Sequence, residues 1–353
     1  MTIDTQIDVL DIIHHTALDR YDTSMLDMPN MPRFLDLVRD ALAGRLDLSP
    51  MGLVNSFAGV VFAEFVASGW LIRQLVVIAI IGALMSVLTE AFSHKSAGET
   101  GFYVTFLMTA ALAVSSYYVA VGILTQLVNV VTGIMYGAIP VMIGLLIMSG
   151  NFVGAAGFNS VLFFALQFFG WFVSNVFVPL ILASAALDIA SKLFADGAKL
   201  DMLANLVQKI ANWALKGMLA LFAFLVTLQR ISAPIAGNIA LRTSRNIVRA
   251  APVVGNAFAA AMDTVVGFSQ AAKSGVLVAL VIILCVAIAT PLVKIFSLSF
   301  IYNVVAAFLQ PVADPRLVAL MGSISNHLKM LFSAAGLVGV TCVYIVIIML
   351  ISI

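Results

Sequence analysis

Residues 275–309 read GVLVALVIILCVAIATPLVKIFSLSFIYNVVAAFL, with Lys294 the only charge. A helix crosses the hydrocarbon core of a bilayer with about 20 mostly apolar residues. This run exceeds that length and is hydrophobic on every side, where a soluble helix would show one apolar stripe. It has company along the chain. Leu71–Thr89, Phe102–Thr125, Gln126–Ser149, Phe158–Ala186, Trp213–Gly237 and Leu331–Ile353 reach or approach the same length. The expected fold is all-α: a polytopic membrane bundle of about seven transmembrane helices. Composition agrees, with 62% hydrophobic and 10% charged residues and a mean hydropathy of +1.11.

Outward from these runs the chain divides. Residues 1–50 hold Asp4, Asp8, Asp11, Asp19, Asp22, Asp27, Asp36, Asp40 and Asp47 against Arg20, Arg33, Arg39 and Arg45. This acidic extramembrane head belongs in water. Pro29 and Pro32 mark a turn-rich joint within it, since proline turns the preceding residue away from helix. Residues 51–70 are apolar but interrupted by Asn55, Glu64 and Ser68, and read as an amphipathic helix at the interface, anchored by Trp70 and Arg73. Residues 71–353 form the transmembrane bundle. The start of the chain has neither a positive segment nor an apolar core of a signal peptide. No basic run suits nucleic acid, so none is expected as a partner.

Lys and Arg placement sets topology. The most basic connection, Asn238–Ser274, carries Arg242, Arg245, Arg249 and Lys273 against Asp263 alone. With that connection in the cytoplasm, the head is extracytoplasmic and the C-terminus cytoplasmic. Glu90–Thr100 and Gly150–Gly157 then fall inside, and Asp188–Asn212 and Gln310–Lys329 outside.

An internal repeat is visible. Leu203-Ala-Asn-Leu206-Val-Gln-Lys-Ile210-Ala-Asn212 aligns with Leu317-Val-Ala-Leu320-Met-Gly-Ser-Ile324-Ser-Asn326. A proline-headed apolar stretch (Pro179 or Pro291) and an acidic turn (Asp201 or Asp314) precede each copy, and a span follows. The expected unit is span, amphipathic helix, span, over about 179–237 and 291–353. Parallel repeats are common in transporters, and any duplicated membrane scaffold shows them as well.

Charges in or near spans are the candidates for function, because each costs a few kcal/mol unless paired or wetted. Arg73, Lys216 and Arg230 lie near span ends, where long stems reach the interface. Lys294 lies well inside its run, three residues after Pro291. It either lines a wet cavity at a broken helix or marks the junction of two elements in the headgroup layer. Asp188 occupies the matching region of the first repeat and could equally be solvent-exposed at a span end. Pro252 and Gly255 bracket a turn, and Gly255–Gly267, carrying Asp263, is too short to span alone; a close-packed or re-entrant helix is expected. Arg242, Arg245 and Arg249, spaced three and four apart, share one helix face that suits anionic lipid or an acidic partner. Topology-setting positives would look the same. Cys285 and Cys342 sit inside apolar runs as core residues. His14, His15, His94 and His327 are dispersed, with no ligand spacing. No catalytic residue, metal or cofactor is expected, and no phosphate-binding loop is present.

Several blocks resemble the stage III sporulation protein AE family of endospore-forming bacteria. They are Leu88-Thr-Glu-Ala-Phe-Ser-His-Lys-Ser96, Arg242-Thr, Pro252-Val-Val-Gly255, Asp263-Thr-Val-Val-Gly267 and Tyr302-Asn-Val-Val-Ala-Ala-Phe-Leu-Gln-Pro-Val312, in order from about Leu71 to the C-terminus. The resemblance implies a multi-pass protein of the mother-cell membrane surrounding the forespore. It implies partners among the other membrane subunits and the cytoplasmic ATPase of a sporulation complex, with self-association left open. A channel or export-platform component, with Lys294, Asp188 and Asp263 facing a conduit, is the favoured reading. A non-conducting scaffold that docks the ATPase through Arg242, Arg245 and Arg249 is the next, and a self-contained metabolite transporter the third. Pro252, Gly255 and Gly267 carry over as packing or pathway positions.

Overall fold

Long apolar runs without strong breakers give long helices, because each added residue contributes a backbone hydrogen bond that lipid cannot replace. The computed structural model describes residues 66, 68–92, 95–148, 164–193, 198–249, 255–311 and 313–352. The acidic head, nearly all of the expected interfacial helix, Gly150–Gly157 and Pro252 lie outside the described residues. Those described are helical, with no strand. We number the helices α1 (Gly69–Phe92), α2 (Lys95–Met148), α3 (Phe164–Leu193), α4 (Ala198–Arg249), α5 (Gly255–Leu309) and α6 (Pro315–Ser352).

Among the described residues, four helical stretches are long and apolar enough to cross a membrane. They are Thr100–Ala138, Phe164–Leu193, Ile283–Leu309 and Pro315–Val346. The expected spans Phe102–Thr125 and Gln126–Ser149 run together in α2, since neither Thr125 nor Gln126 breaks a helix. The 54 residues of α2 extend about 81 Å, well beyond one bilayer core. Gly255–Gly267 is likewise not a separate helix. It is the beginning of α5, which continues unbroken through Pro291 to Leu309, so Lys294 sits on one helix and not at a junction of two. The described residues of the basic connection Asn238–Ser274 are helical, as the end of α4 up to Arg249 and the start of α5 from Gly255.

Proline leaves local marks. Pro179 cannot donate a backbone hydrogen bond, and its ring crowds the preceding turn. The helix widens just before it into a π-turn, Val173–Phe177, in which Val178 N–H reaches the Val173 carbonyl. Asn175 Nδ2 donates to the Trp171 carbonyl at 2.9 Å, giving that acceptor a side-chain partner beside the π-turn. At the α5–α6 turn, Asp314 caps α6: its Oδ1 accepts from Arg316 N at 2.8 Å, and Pro315 takes the first helical position. The Arg316 guanidinium also stands 3.6 Å over the Phe102 ring, joining the start of α6 to α2.

The core lies around α6. Buried residues make up 61% of its membrane-length segment, against 33% for those of α2 and α3. Tyr302, Phe106, Phe177, Leu71, Leu75 and Leu124 are among its largest sealed side chains. Two close approaches bring α5 onto α6: Ile288 against Gly339, and Leu292 against Gly336. A Cβ at Gly339 would lie 2.5 Å from Ile288 Cγ2, so only glycine permits this approach. The expected break between the amphipathic segment Leu317–Asn326 and the span Leu331–Ile353 is absent, because both belong to α6. Two of its polar residues, Ser325 and His327, find partners inside.

Candidate functional site

A hydroxyl, carboxylate or imidazole drawn into an apolar bundle must find its partner there, because lipid offers none. Tracing those partners gives a polar layer that joins α2 through α6. His327 on α6 is at its centre, 2% exposed. Its Nδ1 lies 2.8 Å from the Ser323 carbonyl one turn earlier, and since a carbonyl only accepts, Nδ1 is the donor. Nε2 lies 3.1 Å from Ser184 Oγ on α3. That hydroxyl is in turn 3.0 Å from the Ala204 carbonyl on α4.

Asp188, one turn beyond Ser184 on α3, brings a carboxylate oxygen to 3.9 Å from His327 Nδ1. It is ion-paired with Lys192 a further turn on, and both side chains are only 16% exposed. Tyr117 on α2 presents its ring to the imidazole at a 6.2 Å centroid separation, edge to face. Beside it, the hydroxyls of Ser116 (α2) and Tyr302 (α5) are 2.9 Å apart. Ser299 (α5) and Ser325 (α6) each reach the other's carbonyl, at 3.0 and 2.9 Å. Near the end of α3, Ser191 donates to Asp201 on α4. Removing one member of a buried ion pair costs about 3–5 kcal/mol, because the survivor is left charged and alone. Two buried hydroxyls, Ser297 on α5 and Thr341 on α6, have no hydrogen-bond partner among the described residues.

Of the residues singled out in the sequence, the layer takes up Asp188. It is not free at a span end; it is half-buried and paired with Lys192. Lys294 is half-buried on α5, and no described hydrogen bond or ion pair engages it. Asp263, Gly255 and Gly267 fall on the first part of α5, and Arg242, Arg245 and Arg249 on the last turns of α4. Among the described residues, no group of three or more His, Cys, Asp or Glu side chains is placed to hold a metal ion.

His327, Ser184, Tyr117 and the Ser299–Ser325 pair escaped the sequence reading. Asp188 and His327 are far apart in the chain, and only the packing of α3 on α6 brings them together. One signal was available. Leu320, Ile324, His327 and Leu331 fall at helical spacing, so His327 occupies a position of the apolar stripe where leucine would be expected.

A model of the family described as stage III sporulation protein AE matches residues 33–352. The match reaches into the acidic head, further toward the N-terminus than the blocks recognised in the sequence. The chain is 31% identical over 297 residues to stage III sporulation protein AE of Bacillus subtilis (strain 168), covering 84% of this chain and 74% of that protein. No solved structure matches. With the expected sequence blocks, an all-helical bundle and a family match across nearly the whole chain, this protein belongs to the stage III sporulation protein AE family.

Proposed function

We propose that this protein is a membrane-embedded component of a sporulation channel or secretion-like complex that links mother cell and forespore and that late forespore development requires. The observation that carries the reading is the Asp188–Lys192–His327 group, held inside helices long and apolar enough to cross a membrane. Ionisable groups are costly in such helices and cluster along pathways for ions or other polar cargo. The family resemblance supplies the setting. In this reading the chain lies in the mother-cell membrane around the forespore, among other membrane subunits and an ATPase, and the Lys and Arg placement supports a head outside and a C-terminus in the cytoplasm. In this reading the protein is not an enzyme; it forms part of a conduit, with Lys294 on α5 and Asp188 on α3 as its polar positions and Asp263 further along α5.

One observation favours the non-conducting scaffold. Ser184, Asp188, His327, Ser299 and Ser325 all have partners inside the bundle, as a packed support also requires. Accessibility in the assembled complex separates the two. Val293→Cys and Ile295→Cys, which flank Lys294, are introduced singly with Cys285→Ser and Cys342→Ala, and treated with a water-soluble maleimide in sporulating cells. Labelling is the result a conduit gives. Thiols that stay dark at both positions in an intact complex would leave the scaffold and remove the conduit.

A further inference from the structure

The Ser184 hydroxyl has one proton and two acceptors within reach. Its Oγ is 3.0 Å from the Ala204 carbonyl on α4 and 3.1 Å from His327 Nε2 on α6. His327 Nδ1 is already committed as the donor to Ser323. The protonation state of Nε2 therefore decides where the Ser184 proton goes. With a neutral ring, Nε2 is a bare lone pair, Ser184 donates to it, and the Ala204 carbonyl loses this donor. With a doubly protonated ring, Nε2–H donates to Oγ and the hydroxyl turns to Ala204. Only the doubly protonated ring satisfies all three contacts together.

We propose that His327, Ser184 and Asp188 form a proton-binding site. One proton taken from water onto His327 Nε2 turns the Ser184 hydroxyl onto the Ala204 carbonyl and clamps α4 to the α3–α6 pair. The surroundings fit a site that gains one charge. From α3, Asp188 faces Nδ1 at 3.9 Å and offers the compensating negative charge, while Lys192 on the same carboxylate opposes it. From α2, Tyr117 presents an uncharged ring edge-to-face, and Tyr302 of α5 stands behind its neighbour Ser116. From α4 come the Ala204 carbonyl and Asp201, the latter engaged with Ser191. The site goes beyond the conduit reading and stands whether the bundle conducts or only supports.

The test uses the full chain in lipid nanodiscs with 15N-labelled histidine, observed by NMR from about pH 8 to about pH 5, the range in which imidazole protonation is accessible. His327→Gln identifies the signal; should that variant fail to accumulate, replacing His14, His15 and His94 by Gln leaves His327 alone. The expected course runs from a ring protonated at Nδ1 only to a doubly protonated ring. Ser184→Ala removes the acceptor of Nε2–H in the charged ring and the donor to Nε2 in the neutral one, and lowers the ratio of charged to neutral ring about fivefold at a given pH, the difference between a charge-assisted and a neutral hydrogen bond. Ser184→Thr, which keeps a hydroxyl, retains the wild-type ratio. Protection of the amides around Ala204, the exchange rate relative to the intrinsic rate at each pH, rises several-fold on acidification in wild type and not in Ser184→Ala. A ring singly protonated throughout, a Ser184→Ala ratio equal to wild type, or protection at Ala204 indifferent to pH overturns the proposal.

Discussion

Leu203, Leu206 and Ile210 on α4 align with Leu317, Leu320 and Ile324 on α6, yet the two sets have opposite environments. The first is 45%, 53% and 48% exposed; the second 2%, 0% and 0%. The α6 copy is enclosed by α5, α2 and α3, whereas α4 packs chiefly against α3 and turns this stripe outward. Trp213 extends the outer stripe at the same helical spacing. A repeated pattern thus fixes that a helix has an apolar face without fixing what meets it. In water an exposed stripe of this kind would be a liability, but lipid tails or a neighbouring subunit can cover it at little cost. Burial in α6 is the more demanding condition, and it explains why Ser325 and His327 are paired with other helices.

The contrast can be broken by matched substitutions. Leu320→Ala on α6 should cost about 2–5 kcal/mol, read as loss of thermal stability of the purified protein in detergent, because it opens a cavity in the core. Leu206→Ala, its α4 counterpart, should lie within about 0.5 kcal/mol of wild type, as exposed positions do. Equal losses at both would mean that α4 is as enclosed as α6. Glycines sharpen the same point with opposite signs. Gly339→Ala, against Ile288, should destabilise by about 1–3 kcal/mol through overpacking. Gly217→Ala on α4, with nothing within 4 Å of the new methyl, should stabilise by up to about 1 kcal/mol through helix propensity. Smaller still is the pairing across the α5–α6 seam. A double-mutant cycle of Ser299→Ala and Ser325→Ala should give a coupling of about 0.6 kcal/mol, and at most about 1.7. A coupling of zero would remove that pair from the seam.

Legibility follows the range of the interaction. The all-helical membrane class was readable because hydrophobicity over some 20 residues is a local property. Pro291 suggests a break for the same local reason, yet α5 runs through it unbroken to Leu309. Where helices run on was not readable: α2 passes Thr125–Gln126 because two span lengths in series carry no breaker between them. The repeat alignment marks Leu317–Asn326 as an amphipathic helix separate from the following span, yet it is the start of α6, and Ser325 and His327 on α6 are paired. Their partners Ser184 and Ser299 come from other helices, and only tertiary packing supplies them. Asp188 could be named from its cost in an apolar run. That it pairs with Lys192 was available at four-residue spacing, whereas its approach to His327 was not.

The most direct test of the functional account is made in sporulating cells with Asp188→Asn and His327→Gln introduced singly. Late forespore gene expression is scored beside pull-down of the assembled complex. The account predicts that forespore development fails while the protein stays in the membrane with its partners, because the polar group serves the pathway and not only the packing. Normal development in both variants, or failure only where the complex falls apart, would contradict it.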